Sequence, residues 1–317
     1  MSTPRERFLA FRRQLGRPPR LARHTVRARG LDFAVWTSPA VPDAPPLCCV
    51  NGGLLYGHEI LWPALAPLAA SRQLVLYDQR GRGASQVPPG PRAARIEHDA
   101  GDLAALRAAL GIDAWDVLAH SWGGAIAMLG ALDDQAAIRR LVLVDPAGAA
   151  GEWLPTLHDA ALARLRGRLP DAWARLAALD PAALVEPDVE AHSAYARAYY
   201  PAWFADDELA TMFAPPRSAS VAGAAVAARL RRDGYDWRDR LRALSVPSLV
   251  VHGAQDVLPV TQSRRTVSLL PHARLEVVPD AGHLPFWEAP DRFFPLVDAF
   301  LGTTAVSTPP ASLVPSR

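Results

Sequence analysis

Ala119-His120-Ser121-Trp122-Gly123-Gly124 is the stretch on which the reading of this 317-residue chain turns. It joins an apolar run at 116–119, which reads as a strand, to 122–132, which reads as a helix. A serine at such a strand-to-helix turn sits on strained backbone that lifts its hydroxyl out at the carboxyl end of a sheet. Strand and helix approach closely there, so the positions two before and two after the serine must be small. Gly123 meets that requirement. Ala119 stands where glycine is usual, but its methyl is small enough to be tolerated. A five-residue pattern of this kind arises by chance, so its setting has to carry the argument.

Working outward, 24–29 and 32–37 read as a hairpin around Gly30, followed by apolar strands at 47–50 and 74–78. A helix with Leu103, Leu106 and Leu110 on one face spans 96–110, and another strand follows the Ser121 turn at 141–145. Strands alternating with helices predict an α/β fold, a mostly parallel, doubly wound sheet with helices on both faces. The alternation stops at Pro146. From there to Trp237 only helical segments are expected, at 171–179 (starting from a capping Asp171), 189–200, 207–213 and 220–232. Strands at 248–252 and 275–278 and helices at 260–270 and 286–301 complete the pattern. The predicted organisation is a discontinuous core (20–145 and 238–302) with an inserted helical lid (146–237). An N-terminal arm (1–19) precedes it, and a Ser-, Thr- and Pro-rich disordered tail (303–317) follows.

Two further strand ends supply partners for Ser121. Asp256 follows an apolar strand and a glycine turn, in Leu249-Val-Val-His-Gly-Ala-Gln-Asp256; His283 follows the last strand, in Pro279-Asp-Ala-Gly-His283. Each residue type is needed. A serine hydroxyl is a weak nucleophile until a neutral imidazole takes its proton, and a buried carboxylate holds the imidazole in the right tautomer. Asp145 also ends a strand and is the rival acid; Asp256 is preferred for its glycine turn and its spacing to His283. Asp280 reads as a turn former, and His24, His98 and His252 as structural or surface residues. Two backbone N–H groups are expected to bind an oxyanion: Trp122, after the nucleophile, and Gly53, in the Asn51-Gly52-Gly53-Leu54 loop after the third strand. The pocket should lie between sheet edge and lid, lined by Leu54, Tyr56, Trp122, Tyr199, Trp203 and Phe286.

Composition excludes other classes. All 34 basic residues are arginines, scattered among 32 acids for a net charge of +2, so there is no electrostatic footprint for nucleic acid. No apolar run reaches membrane-spanning length, and residues 1–19 lack a signal-peptide core. Cys48 and Cys49 are adjacent on a strand and so point to opposite faces, which suits two small core residues better than a disulfide or a metal site. A reducing cytoplasm is the expected compartment, and the assembly is expected to be a monomer or homodimer.

The chain resembles α/β-hydrolases of the proline iminopeptidase type (peptidase family S33). The matching segments are Val50-Asn-Gly-Gly53, Tyr77-Asp-Gln-Arg-Gly-Arg-Gly-Ala-Ser85, His120-Ser-Trp-Gly-Gly124, the 253–256 turn and Gly282-His283. The resemblance runs from about residue 26 to 301, with Asp-Gln-Arg-Gly-x-Gly its most discriminating motif. It implies the α/β-hydrolase fold and a Ser121–His283–Asp256 triad needing no metal or cofactor. Two departures stand out. Asn51 replaces the family's usual His, though an Asn side chain can still tie the loop down. The lid glutamates that hold a peptide's amino group have no recognisable motif here; Glu190, Asp206, Asp207 and Glu208 are the acids available. The expected activity is therefore hydrolysis of a small ester or amide with an apolar acyl group. An N-terminal aminopeptidase is the nearest rival, and a non-catalytic ligand receptor is the rival from another class. An aspartate nucleophile, as in dehalogenases and epoxide hydrolases, is excluded by Ser121.

Overall fold

The computed structural model describes residues 3–90, 94–180 and 188–302, so the tail expected over 303–317 lies outside the described residues. Eight strands form one sheet: β1 (Ala22–Ala28), β2 (Leu31–Thr37), β3 (Leu47–Val50), β4 (Leu74–Tyr77), β5 (Trp115–His120), β6 (Ile138–Val144), β7 (Ser248–Gly253) and β8 (Ala273–Val278). Their spatial order is β1-β2-β4-β3-β5-β6-β7-β8. β2 runs antiparallel to β1 and to β4, and every other neighbouring pair is parallel.

The central strands β3, β4, β5 and β7 are buried along their whole length because both faces of the sheet are covered there, while the edge strand β8 is partly exposed. Alternate residues feed two separate cores. Cys48, Val117, Leu143 and Val250 belong to one, and Cys49, Leu118, Val142 and Val251 to the other. The two cysteines are free and buried on opposite sides. Each of these aliphatic side chains is removed from water completely, worth about 1.5–3 kcal/mol apiece. Among the described residues no helix is long and apolar enough to cross a membrane.

Between β6 and β7 the described residues form helices, closed at the neck by a short antiparallel contact. Ala150 bridges Asp236, Gly151 N–H donates to Tyr235 O, and Trp237 N–H donates to Ala149 O. A helix at Leu154–Arg168, unforeseen from the sequence, opens this insertion.

One sequence expectation is filled out and two others are corrected. The N-terminal arm contains a helix, Pro4–Gln14, started by a Thr3–Glu6 capping box and anchored by Phe8 and Phe11 against Trp287 and Phe294. Asp171 is not a cap, because the helix begins one residue earlier at Pro170, whose fixed φ and missing N–H suit the first helical position. The closing helix is two, Pro285–Glu288 and Pro290–Gly302. Pro290 pushes Ala289 out of the helical region, to φ −136°, ψ 56°.

Candidate active site

Ser121 lies one residue past β5, at φ 55° and ψ −123°, in backbone that costs on the order of 1–3 kcal/mol for a side-chain-bearing residue. The conformation is held by hydrogen bonds at both its backbone polar groups. Ser121 N–H donates to Val144 O at 2.9 Å, and Ser121 O accepts from Gly124 and Ala147. The following helix presses against β3 so closely that a Cβ on Gly123 would fall 2.3 Å from Val50 O. That contact explains in physical terms why a glycine stands two residues after the serine.

The three side chains singled out in the sequence meet here. His283 Nε2 lies 2.9 Å from Ser121 Oγ, and His283 Nδ1 lies 2.6 Å from Asp256 Oδ2. With its Nδ1 proton directed at Asp256, the ring leaves Nε2 free to accept from the serine hydroxyl. Asp256 Oδ1 also accepts from Leu258 N–H. Burial pushes the Asp256 carboxyl up most strongly, but His283, His252 and the Leu258 N–H together outweigh it and the net shift is downward, toward the ionised form. His283 is largely buried, with its ring at the floor of the cavity.

Two residues that the sequence reading passed over fix the backbone of His283. His120 Nε2–H donates to His283 O at 2.8 Å. Burial first, and the adjacent His283 second, lower the His120 pKa to about 3, so it is a neutral strut. On the other side, His283 N–H donates to Trp203 O of the helical insertion. Glu288 is fully buried and accepts from Gly282 N–H at 2.6 Å and Ala205 N–H at 2.7 Å, fastening the histidine loop to the same insertion segment.

The loop after β3 is braced from below. Asn51 Nδ2 donates to Tyr56 O at 2.8 Å, so the asparagine does tie the loop down. Gln79 and Arg82 of the Asp-Gln-Arg-Gly-Arg-Gly turn donate to Asn51 O and Leu54 O. Arg82 is itself paired with Asp99 in the core.

A cavity of about 230 Å³ opens over Ser121. Gly53, Tyr56, Trp122, Tyr199 and Trp203 line it together with Ser121 and His283. Leu54 and Phe286 do not, and the pocket expectation is corrected at both. Leu54 is buried beneath the helix Val221–Asp233, in the core that includes Val226 and Leu230. Phe286 is buried behind the histidine loop, edge-on to His120 and Phe293. In their place the wall takes Trp153, Leu157, Tyr195, Tyr200, Ser218 and Leu258. Tyr195 and Tyr199 stack at 5.3 Å, an i,i+4 aromatic pair that was visible in the sequence.

The rival and neighbouring acids are also placed. Asp145 is buried beside Asp256, with Oδ1 accepting from Gly253 N–H. Asp280 occupies a positive-φ turn. His252 is a satisfied core residue bonded to Ser263 and Leu258. Asp206 caps the helix Asp207–Met212. Glu190 pairs with Arg217, Asp207 with Arg168 and Glu208 with Arg5, all away from the cavity.

Residues 45–290 match the family model for the alpha/beta hydrolase fold. The chain is 26% identical over 281 residues to a proline iminopeptidase of Lactobacillus delbrueckii subsp. lactis, covering 82% of this chain and 90% of that one. It is 30% identical over 240 residues to a 2-hydroxymuconate semialdehyde hydrolase of Pseudomonas putida, covering 73% and 77%. The crystal structure of a proline iminopeptidase from Mycobacterium smegmatis superposes with a TM-score of 0.62 at 23% identity, covering 89% of this chain and 98% of that one, a likeness of fold. With the family model matching residues 45–290, and a mostly parallel eight-stranded sheet carrying the serine turn at its edge, the chain belongs to the α/β-hydrolase fold family.

Proposed function

We propose that the protein is a serine hydrolase that cleaves a small, uncharged ester or amide through an acyl-enzyme. The observation that carries this reading is the unbroken contact from Asp256 through His283 to Ser121 at the floor of an aromatic cavity. In the first half-reaction His283 takes the Ser121 proton as Oγ attacks the substrate carbonyl, then returns it to the departing alcohol or amine. In the second, His283 takes a proton from a water that attacks the acyl carbon, and returns it to Ser121 Oγ as the Oγ–carbon bond breaks and the acid leaves. Asp256 stabilises the imidazolium formed in each step. The N–H groups of Gly53 and Trp122 are assigned to the developing oxyanion.

The preference for an uncharged substrate comes from the lining. Among the described residues no carboxylate or guanidinium faces the cavity. A free amino group held there would lose hydration without a charged partner, at a cost of several kcal/mol. The four acids weighed for that role are engaged elsewhere. The second reading, an N-terminal aminopeptidase, draws on the likeness to proline iminopeptidases.

One set of assays decides among the readings. A fluorophosphonate probe should label the folded protein, and Ser121→Ala should abolish both labelling and turnover. Nitrophenyl esters should be cleaved far faster than proline arylamide. Comparable or faster cleavage of the arylamide would move the assignment to the aminopeptidase. Labelling that persists in Ser121→Ala would overturn Ser121 as the nucleophile, and absence of both labelling and turnover would leave a ligand receptor.

A further inference from the structure

Two buried carboxylates end neighbouring parallel strands. Asp145 follows β6 at a positive φ of 43°, and Asp256 lies in the turn after β7. One oxygen of each and a ring nitrogen of His283 all lie within 4.8 Å of one another. Asp256 is well supplied with donors, His283 at one oxygen and Leu258 N–H at the other. Asp145 has one, Gly253 N–H at Oδ1, while its Oδ2 is buried with no donor in reach.

The groups facing this pair bring little positive charge. His252 lies 3.4 Å from Asp145 Oδ1, but its Nε2–H donates to Leu258 O and its Nδ1 accepts the Ser263 hydroxyl, the pattern of a neutral ring. Burial lowers its pKa further. His120 is neutral for the same reason. Glu288, from the helix Pro285–Glu288, adds a third carboxyl, and the nearby cation, Arg164 of the helical insertion, donates to Ala202 O and acts on Asp256, which favours charge on Asp256 over Asp145. Two carboxylates this close and this dry do not both ionise. The charge belongs on the one with more donors, and the proton on the other. Burial, then the charge of Asp256, pushes Asp145 well above the ordinary carboxylate range.

We propose that Asp145 is a positioning residue: its protonated carboxyl donates Oδ2–H to the Asp256 carboxylate, and it takes over the orienting of His283 when Asp256 is removed. The proposal rests on the serine-hydrolase reading above. During normal turnover its proton does not move. Without Asp256, Asp145 releases that proton to solvent and presents a carboxylate toward His283 Nδ1–H.

The test is a double-mutant cycle on nitrophenyl butyrate hydrolysis, with fluorophosphonate labelling of the wild type as control. Asp145→Asn should stay within about threefold of wild type in kcat/KM, because its amide N–H replaces the O–H donor. Asp256→Ala should retain about 1% of wild-type activity, and adding Asp145→Asn to it should remove at least a further tenfold. The acid limb of the kcat/KM profile should be the same for wild type and Asp145→Asn, since one neutral group replaces another. An equal effect of Asp145→Asn in both backgrounds would overturn the proposal. So would an acid limb moved to lower pH by about one unit, which would mean that Asp145 carries charge. If Asp145→Asn does not fold, Asp256→Ala alone decides. A fall to the ~10⁴-fold deficit of a triad whose acid has been removed would leave no spare acid. If the wild type itself neither labels nor turns over, it is the hydrolase reading that fails; labelling and turnover with an additive cycle would defeat only the role of Asp145.

Discussion

The sheet rim and the helical insertion face each other across one cavity, yet they are built by opposite means. At the rim, geometry comes from backbone packed on backbone. A Cβ on Gly123 would fall 2.3 Å from Val50 O, and one on Gly253 would fall 1.9 Å from Gly282 O. Across the cavity, the wall is made of side chains, with Tyr195, Tyr199 and Trp203 in ring contact at 5.3 and 6.2 Å. A backbone-built site holds its atoms to a fraction of an ångström and has no room for a methyl. A side-chain wall tolerates exchange and changes shape when it is exchanged. Bond-breaking is therefore expected to depend on the rim and substrate choice on the insertion.

The sharpest way to break this contrast is Gly123→Ala. One methyl against Val50 O must displace the helix that carries Ser121. It should cost about 3 kcal/mol, the upper end for overpacking a tight core. It should also lower kcat/KM roughly 100-fold on every substrate. Urea unfolding and a panel of nitrophenyl esters read the two effects. A loss confined to some of the esters would place selectivity at the rim and dissolve the distinction.

The same contrast explains what could be read from the sequence. Ser121, Asp256 and His283 were legible because each sits at a strand end where backbone geometry dictates residue types at fixed spacing. Asn51 was legible for the same reason, as a residue that ties its own loop down. His120 and Glu288 were not. Their partners lie 163 and up to 83 residues away, and a histidine beside the serine turn or a glutamate in a short helix announces nothing locally. Leu54 and Phe286 were misplaced because a residue near a strand end can face cavity or core, and only packing decides which. The break at Pro290 did have a local signal in the proline itself. The helix Leu154–Arg168 had little, since its alanines and arginines leave only Ala161 and Leu165 buried.

Glu288 joins the two regions, and its ionisation gives the second prediction. Burial raises its pKa to about 8, against 4.5 in the unfolded chain, despite the N–H groups of Ala205 and Gly282 that favour the charged form. The native state therefore binds the proton more tightly than the unfolded state between those values. By linkage, stability contributed through Glu288 is present at low pH and is lost as pH rises from about 4.5 toward 8. The slope is at most ~1.4 kcal/mol per pH unit. Glu288→Gln, which cannot titrate, should flatten that slope. Urea midpoints of the two proteins between pH 5 and 8 provide the comparison. Parallel curves would show that the carboxyl is ionised throughout and that the clamp on the histidine loop carries its charge at no pH-dependent cost.

The smallest effect is expected on the insertion side, and it is the most informative about substrate. Tyr199 lines the cavity between Tyr195 and Trp203, and its hydroxyl faces His158 rather than Ser121, His283 or Asp256. Tyr199→Ala should leave kcat/KM for an acetyl ester within about threefold of wild type, because an acetyl group does not fill the cavity to that wall. A longer or aromatic acyl group loses a packed surface there, worth roughly 1–3 kcal/mol in pocket discrimination, so its kcat/KM should fall about tenfold, mostly through KM. A uniform fall in kcat across acyl lengths would instead mean that the wall transmits through Trp203 to His283, whose rings lie 4.4 Å apart. In that case the insertion would be part of the machinery for proton transfer as well as the mould for the substrate.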